Sequence, residues 1–501
     1  MLTVNPAAPN EAARTVLGIS FDGASISGTI TEFIKLVRPF ADKGFTIKLD
    51  LGYDIALHKD IFLDPYTTEQ QYLPSWVKLT RLANLPIEAG YTPQFLEAVF
   101  TRLIQQGENN AELLQEVDRL AQILSDLLVA DWEAHNVEIL IVENGTLPEN
   151  IVFTKALYLA IEAYGQKYAL QKFVLWHDHD LMWNSEPWKY GVEPFPNVPK
   201  PSSSPYIYHT VVNQFLLEKI KAWAPDALVS VFENKHNFQT LSCTASKEEF
   251  LTAFNIPENT DIIASCRRII PPKRIDRDIY LLAHLKKLYK KHRLQHKPFL
   301  FIAGNIHEDY DEYLYLQDLC TRLHIEKDVL FANALLPYED QSASSIIKYS
   351  TRDLLAHASL CSYLTSYHFE SFGNPIMEAI AAKIPYLTTS FNLYDIIYGS
   401  KGLLGLILPI AKNDMMSRED DLTHEFILQV FDLLTNKRKY QPWLKTNYQI
   451  AKKLFSLKYL EKYIQTLFGH IMGERLTQIL RVPTAWSVRL GKVKAPISRQ
   501  I

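Results

Sequence analysis

His368-Phe369-Glu370-Ser371-Phe372-Gly373-Asn374-Pro375-Ile376-Met377-Glu378-Ala379 is the stretch on which the fold turns. An apolar run at 360–364 leads into it and a helical pattern leaves it. A strand, a tight Phe-Gly turn and a helix are expected in that order. Asn374 suits a helix cap, and Pro375 the first helical position. A turn at Gly373 lets the backbone approach a ligand closely, and a new helix aims unpaired N–H groups at an anion. Glu370, and Glu378 opening the helix, then accept hydrogen bonds from hydroxyl groups on either side of that anion. A diphosphate flanked by two polyhydroxyl groups is a nucleotide sugar. The plainer reading is a strand–turn–helix packing unit with a charged cap.

Working outward, Ile262-Ile263-Ala264-Ser265-Cys266-Arg267-Arg268-Ile269-Ile270-Pro271-Pro272-Lys273-Arg274-Ile275-Asp276 reads as a strand ending in a loop with four cations. Loops at the carboxyl ends of parallel strands face the ligand crevice. Arginine offers a planar fork and lysine a point charge, a pair suited to a diphosphate. Phe173-Val174-Leu175-Trp176-His177-Asp178-His179-Asp180 delivers two histidines and two aspartates from a buried strand into a loop. Val142-Glu143-Asn144-Gly145 precedes it as another strand end. The His-Asp-His-Asp run could hold a divalent metal by ligand type, and Asp178-His179-Asp180 spells DxD. Both metal readings are discounted: short matches arise by chance, and Arg268 with Lys273 already supply positive charge. A hydrogen-bonded histidine at a strand end is the bland alternative for His177 and His179. Gly23 and Gly28 follow the first strand without forming an adjacent pair, and Gly304-Asn305 ends another strand.

Strand-like runs alternate with helical patterns throughout, which predicts parallel α/β sheets. In the first half strands are expected at 15–21, 46–51, 137–142, 173–176 and 227–232. In the second half they are expected at 262–266, 299–303, 329–331, 360–364 and 386–388. A helical insertion spans about 93 to 135, with Leu113, Leu114, Val117, Leu120 and Leu124 at helical spacing. A proline-rich loop covers 187–205, and the polar stretch 411–424 reads as a linker.

Five hundred and one residues, 47% hydrophobic, suffice for two or more packed domains. A net charge of −4 gives no sign of nucleic-acid binding. Cys243, Cys266, Cys320 and Cys361 lack metal-type spacing and read as buried thiols of a reducing compartment. No apolar run reaches the ~20 residues of a membrane span. The N-terminus lacks a signal-like apolar core. A cytoplasmic protein is expected, or one delivered by a route that reads no such signal.

The Glu370–Glu378 spacing around Phe372-Gly373 resembles the Glu-x7-Glu signature of retaining glycosyltransferases of family 4. The Arg268-x4-Lys273 spacing resembles the Arg-x4-Lys of the same family. The His-Asp loop, with the strand end at 142–145 before it, resembles a branch that includes mannosylglucosylglycerate synthases, and Asn374 and Tyr394-Asp395-Ile396 extend that match. The resemblance implies a GT-B fold: two Rossmann-like α/β domains facing a cleft, with C-terminal helices crossing back to the first. It implies an N-terminal acceptor domain (1–240), a donor domain (241–412), crossover helices (413–470) and a basic tail (471–501). It also implies metal-independent transfer of a hexose from a nucleoside diphosphate to a hydroxyl group. Arg268, Lys273, Glu370, His177, His179 and Asp180 would carry the reaction. Gly23, Gly28, Gly304, Phe372, Gly373, Asn374 and Glu378 would bind the donor. GDP-mannose is favoured, with UDP- or GDP-glucose as alternatives. The acceptor stays open among sugar, metabolite, lipid and protein, and the basic tail allows a membrane or protein contact. The other readings are a GT-B phosphorylase or epimerase, and a nucleotide-sugar-binding protein without activity.

Overall fold

Strands buried on both faces carry continuous apolar runs, as Ile139-Leu140-Ile141-Val142 does within Val137–Glu143. The computed structural model describes residues 14–21, 27–53, 72–239, 243, 245–333, 335–336, 348–414 and 417–472. Strands β1 (Thr15–Ser20), β2 (Thr46–Leu51), β3 (Val77–Thr80), β4 (Val137–Glu143), β5 (Val174–Asp178), β6 (Ile207–Val211) and β7 (Val229–Val231) make the first sheet. Its order is β3-β2-β1-β4-β5-β6-β7. Strands β8 (Thr260–Cys266), β9 (Lys297–Ala303), β10 (Val329–Ala332), β11 (Leu360–Tyr363), β12 (Tyr386–Thr389) and β13 (Leu406–Leu408) make the second, ordered β10-β9-β8-β11-β12-β13. Every pairing is parallel. The order reverses between β1 and β4, and again between β8 and β11. Those reversals open crevices beyond the strand ends, where ligands of Rossmann-like sheets bind. The motif at Glu370 follows β11 and the cationic loop follows β8, so the second crevice lies between the two.

The connecting helices are α1 (Gly28–Ala41), α2 (Pro93–Val99), α3 (Ala111–Ala134), α4 (Ile151–Lys167) and α5 (Gln214–Trp223) in the first domain. In the second they are α6 (Lys247–Ala253), α7 (Ile275–Lys291), α8 (Tyr310–Arg322), α9 (Thr351–His357), α10 (Asn374–Ala381), α11 (Tyr394–Ile397) and α12 (His424–Thr435), followed by α13 (Lys437–Phe455) and α14 (Lys458–Phe468). Helix α3 is the expected insertion. Asn110 caps it by accepting from the Leu113 N–H. Val117, Leu120, Leu124 and Leu128 then bury one face against α4, while Leu113 and Leu114 stay partly exposed. Each fully buried leucine contributes roughly 1.5–3 kcal/mol. A six-residue π-turn, Phe100–Gln105, interrupts the insertion after α2.

Helix α13 packs on α10, and α14 returns to the first domain. Phe468 meets Phe40 edge-on at 5.8 Å, and Tyr463 stacks on Phe232 at 4.1 Å. The chain therefore ties both domains together after completing the second sheet.

Several expectations need correction. Strands β3, β6 and β13 were not foreseen, because the outer two are short edge strands and β6 leaves the proline-rich loop almost at once. The expected strand at 227–232 shrinks to three residues. The stretch 411–424 is no free linker: Arg277 binds Asp414 at 2.9 Å and Asp421 at 2.5 Å, strapping it to α7. Cys243 is exposed, whereas Cys266, Cys320 and Cys361 are buried. Residues 473–501 of the basic tail lie outside the described residues. No helix among the described residues is long and apolar enough to cross a membrane.

Candidate active site in the interdomain cleft

A single cavity is lined from both domains. Ser27, Gly28, His179, Asp180 and Asn234 come from the first; Arg268, Lys273, Gly304, Glu308, Glu370, Phe372, Gly373, Asn374 and Glu378 come from the second. Gly23 lies outside the described residues. His177 does not line the cavity.

The four cations after β8 separate into two kinds. Arg267 turns into the protein, where Ser265 accepts from its Nε at 3.0 Å and Asp278 pairs with it. Arg274, with a left-handed φ of 50°, pairs with Asp276 at 3.0 Å and donates to the Asp414 carbonyl at 2.7 Å. Both arginines are buried and hold the loop. Arg268 and Lys273 line the cleft, which Arg267 also borders, but their side chains pair with carboxylates of the cleft itself. Arg268 Nε donates to Glu308 Oε1 at 2.5 Å, and Lys273 Nζ donates to Glu370 Oε1 at 2.7 Å. Thr365 also donates to Glu370 Oε1, at 2.8 Å. Glu308 was missed by sequence reasoning: it lies 40 residues beyond Arg268, four past Gly304, and no local motif marks it.

Two glycines let these loops approach. At Gly373 φ is +85°, which side-chain-bearing residues seldom adopt, and a Cβ there would reach 3.0 Å from Tyr363. A Cβ on Gly304 would stand 2.3 Å from the Arg267 carbonyl oxygen, so β9 could not close on the cationic loop. Gly28 has no such need: its Cβ would lie 3.6 Å from Asn374 Nδ2. Ser27 caps α1 just before it, accepting from the Ile30 N–H at 3.2 Å.

Helix α10 begins differently from the expectation. Gly373 occupies the cap position, Asn374 is the first helical residue and Pro375 the second. The Asn374 side chain does not cap; its Nδ2 donates to Glu32 at 3.0 Å, and its Oδ1 accepts from Asn234 Nδ2 at 3.0 Å. Both partners belong to the first domain. Glu378 sits at the fifth helical position, one turn in, so it does not open the helix as expected. Further ties hold the motif across the cleft: the Glu186 N–H donates to the His368 carbonyl at 3.2 Å, and Asn213 Nδ2 to that of Ser371 at 2.9 Å.

The first-domain loop is buried and polar. Asn144 Oδ1 accepts from the N–H of His179 at 2.7 Å and of Asp180 at 3.0 Å. Burial raises the Asp180 carboxyl to about 6, helped by the nearby Glu370 and opposed by Ser371, Lys273 and Asn184. Asp178 points away from the cavity and accepts from the Thr146 hydroxyl at 2.7 Å; burial raises it to about 7. His177 Nδ1 lies 2.7 Å from the Thr210 hydroxyl, and burial lowers that imidazole to about 3. His179 lines the cavity, and its Nε2 stands 3.2 Å from Glu143 Oε2. Burial drives His179 well below the usual histidine range and Glu143 well above the carboxylate range.

Residues 246–401 match the family model for glycosyl transferases group 1. That match falls within the second domain and covers less than a third of the chain. No curated protein matches the chain. Among solved structures, the chain resembles a sucrose-phosphate synthase from Thermosynechococcus elongatus at 12% identity and TM-score 0.57, covering 92% of this chain and 99% of that one. It resembles a glycosyltransferase from Rickettsia africae at 14% identity and TM-score 0.52, covering 92% and 100%. Anabaena HepE, solved in complex with UDP and glucose, aligns at 14% identity and TM-score 0.52, covering 91% and 99%. Likeness at these identities speaks for the fold, and the two facing sheets with returning C-terminal helices are the GT-B arrangement. The group 1 match coincides with the domain that presents Arg268, Lys273, Glu370 and the start of α10.

Proposed function

We propose that this protein is a retaining hexosyltransferase that takes its sugar from a nucleoside diphosphate. One observation carries the reading: a cleft between two Rossmann-like sheets gathers Arg268, Lys273, Glu370 and the first turn of α10 around one cavity. Two cations and the helix N-terminus suit a diphosphate, and carboxylates on either side suit the hydroxyl groups of ribose and sugar.

In this reading Arg268 and Lys273 bind the diphosphate and stabilise the charge that grows on it as the anomeric bond breaks. Glu308 and Glu370 hold the two cations until phosphate oxygens replace them. Glu378 accepts from the ribose. Glu370, released from Lys273, accepts from the transferred sugar, and Gly373 and Asn374 supply backbone donors. His179 and Asp180 face the sugar and acceptor from the first domain, with His177 behind them. The leaving phosphate takes the acceptor proton, so donor and acceptor react on one face and the anomeric configuration is kept. The cations meet the diphosphate charge without a metal at that position. GDP-mannose is the favoured donor on the resemblance to the mannosylglucosylglycerate synthase branch, and UDP-glucose is the first competitor.

Purified protein offered a panel of GDP- and UDP-sugars, with no divalent ion added, should release nucleoside diphosphate from one of them. NMR of the fresh product should show the donor's anomeric configuration. Inversion of configuration, or turnover that depends on added manganese or magnesium, would overturn the reading.

A further inference from the structure

Glu143 ends β4, His177 lies in β5 and His179 follows it, so adjacent parallel strands bring the three together. Their exposures are 0%, 1% and 3%, which puts all three inside the first domain. One potential ligand atom from each lies within 4.8 Å of the others. Neither Glu143 oxygen, nor His179 Nε2, has a hydrogen-bond partner among the described residues. A wholly buried carboxylate with both oxygens unsatisfied is costly, and folded proteins seldom leave one so. We propose that Glu143, His177 and His179 bind one divalent transition-metal ion of the zinc type.

The ligand chemistry fits. Two imidazoles and a carboxylate are an established set for zinc and neighbouring first-row ions. The surroundings prepare His177 for the role. Thr210 directs its hydroxyl proton to the Trp176 carbonyl at 3.3 Å, so its oxygen accepts from His177 Nδ1–H at 2.7 Å. Nε2 then keeps its lone pair, the tautomer a ligating histidine needs. Ligand atoms around a tetrahedral zinc stand roughly 3.3 Å apart, from bonds of about 2.0–2.1 Å. His179 Nε2 and Glu143 Oε2 already stand at 3.2 Å, so the remaining closure falls on His177.

The local charge fits as well. Lys35, which faces His179, is matched by Glu32 at 2.5 Å. Glu143 and the neighbouring Asp178 then remain as two carboxylates, which one divalent ion balances. This ligand set differs from the Asp178-His179-Asp180 reading, since Asp178 turns to Thr146 and Asp180 to Asn144 and Asn184. All three ligands belong to the first domain and none is a diphosphate-binding cation, so the site is compatible with transfer that needs no added metal.

The full chain, purified without a metal-affinity tag, should carry roughly one zinc-type ion by elemental analysis, or take up one zinc or cobalt ion tightly when it is supplied. Bound cobalt should give visible absorption bands of tetrahedral type. Glu143→Gln and His177→Ala should each lower the affinity by more than the ~10- to 100-fold that losing an outer-shell partner costs. Asp180→Asn should leave it unchanged. If a variant does not fold, the content and uptake of the unaltered protein decide alone. Protein that neither carries nor takes up zinc or cobalt would overturn the proposal, leaving Glu143 and His179 as a pair sharing a proton. Uptake unaffected by both Glu143→Gln and His177→Ala would overturn it too, by placing the ion elsewhere.

Discussion

The loop after β8 and the loop after β5 face each other across one cleft, and burial treats them in opposite ways. After β8, each cation is matched by a carboxylate: Arg268 by Glu308, Lys273 by Glu370. After β5, burial pushes the titratable groups toward their neutral forms, His177 down to about 3 and Asp180 up to about 6. One wall offers charge that a ligand can exchange for its own, and the other offers short-range hydrogen bonds. An anion gains most from the first wall and a polyhydroxyl group from the second. In the proposed reading, the diphosphate therefore belongs to the first wall and the sugar reaches toward the second.

The contrast breaks most visibly if the charged wall is removed. Lys273→Ala or Arg268→Ala should lower turnover ~10²-fold or more while far-ultraviolet circular dichroism stays native. Near-normal turnover from folded Lys273→Ala protein would remove the charged wall from the mechanism.

The next effect separates the two glutamates. Glu378→Gln should weaken free GDP or UDP in calorimetry by about tenfold, the loss of one charge-assisted hydrogen bond. Glu370→Gln should leave diphosphate binding intact or tighter, because Lys273 loses its competing partner, and should lower transfer instead. Equal losses of diphosphate binding would put Glu370 on the wrong side of the phosphates.

The hydrogen-bonding wall should show itself through pH. If the Asp180 carboxylate accepts from a sugar hydroxyl, kcat/KM should fall a few-fold below about pH 6, and Asp180→Asn should lack that limb. For stability the sign is opposite. The folded protein holds the Asp180 proton more tightly than the unfolded chain, whose pKa is about 3.9. The group therefore favours folding at low pH, and its contribution is lost as pH rises through about 6. His177, lowered in the folded state, contributes with the reverse slope over the overlapping window. A folded-state titration of Asp180 by NMR with its midpoint near 4 would remove the limb's cause.

The smallest effect concerns Gly28. It lines the cavity, but a Cβ there meets nothing closer than 3.6 Å. Gly28→Ala should raise stability by about 0.4–1 kcal/mol, since it begins α1 in a conformation alanine also adopts. A fall in melting temperature would show that its backbone is more constrained than the helix start implies.

Much of this was legible in the sequence, for physical reasons. A β strand followed by glycine or proline and then by a helical pattern is a local signal, so the ends of β8 and β11 could be read directly. Crevices in parallel sheets lie at such ends, which brought Arg268, Lys273 and Glu370 into one site. Long-range pairing was not legible. Which of the four cations would turn inward depended on Asp278, Asp276 and Asp414, and the last lies 140 residues from Arg274. Asn374 read as a cap because asparagine commonly is one; its actual partner, Glu32, lies 342 residues away. Glu143 was within view, at the end of a quoted strand, but nothing local said that it would face His179.

The pairing of Arg268 with Glu308 and of Lys273 with Glu370 has a consequence for selectivity. A chloride or a single phosphate entering the empty cleft meets cations already neutralised, and it must displace a tethered carboxylate without help from a second contact. A diphosphate can displace both at once, because its two phosphates are joined and the second exchange becomes intramolecular. The cleft would then act as a threshold filter in the ionic milieu of a cell. It would ignore abundant small anions at millimolar concentration and answer to a ligand that carries two linked charges.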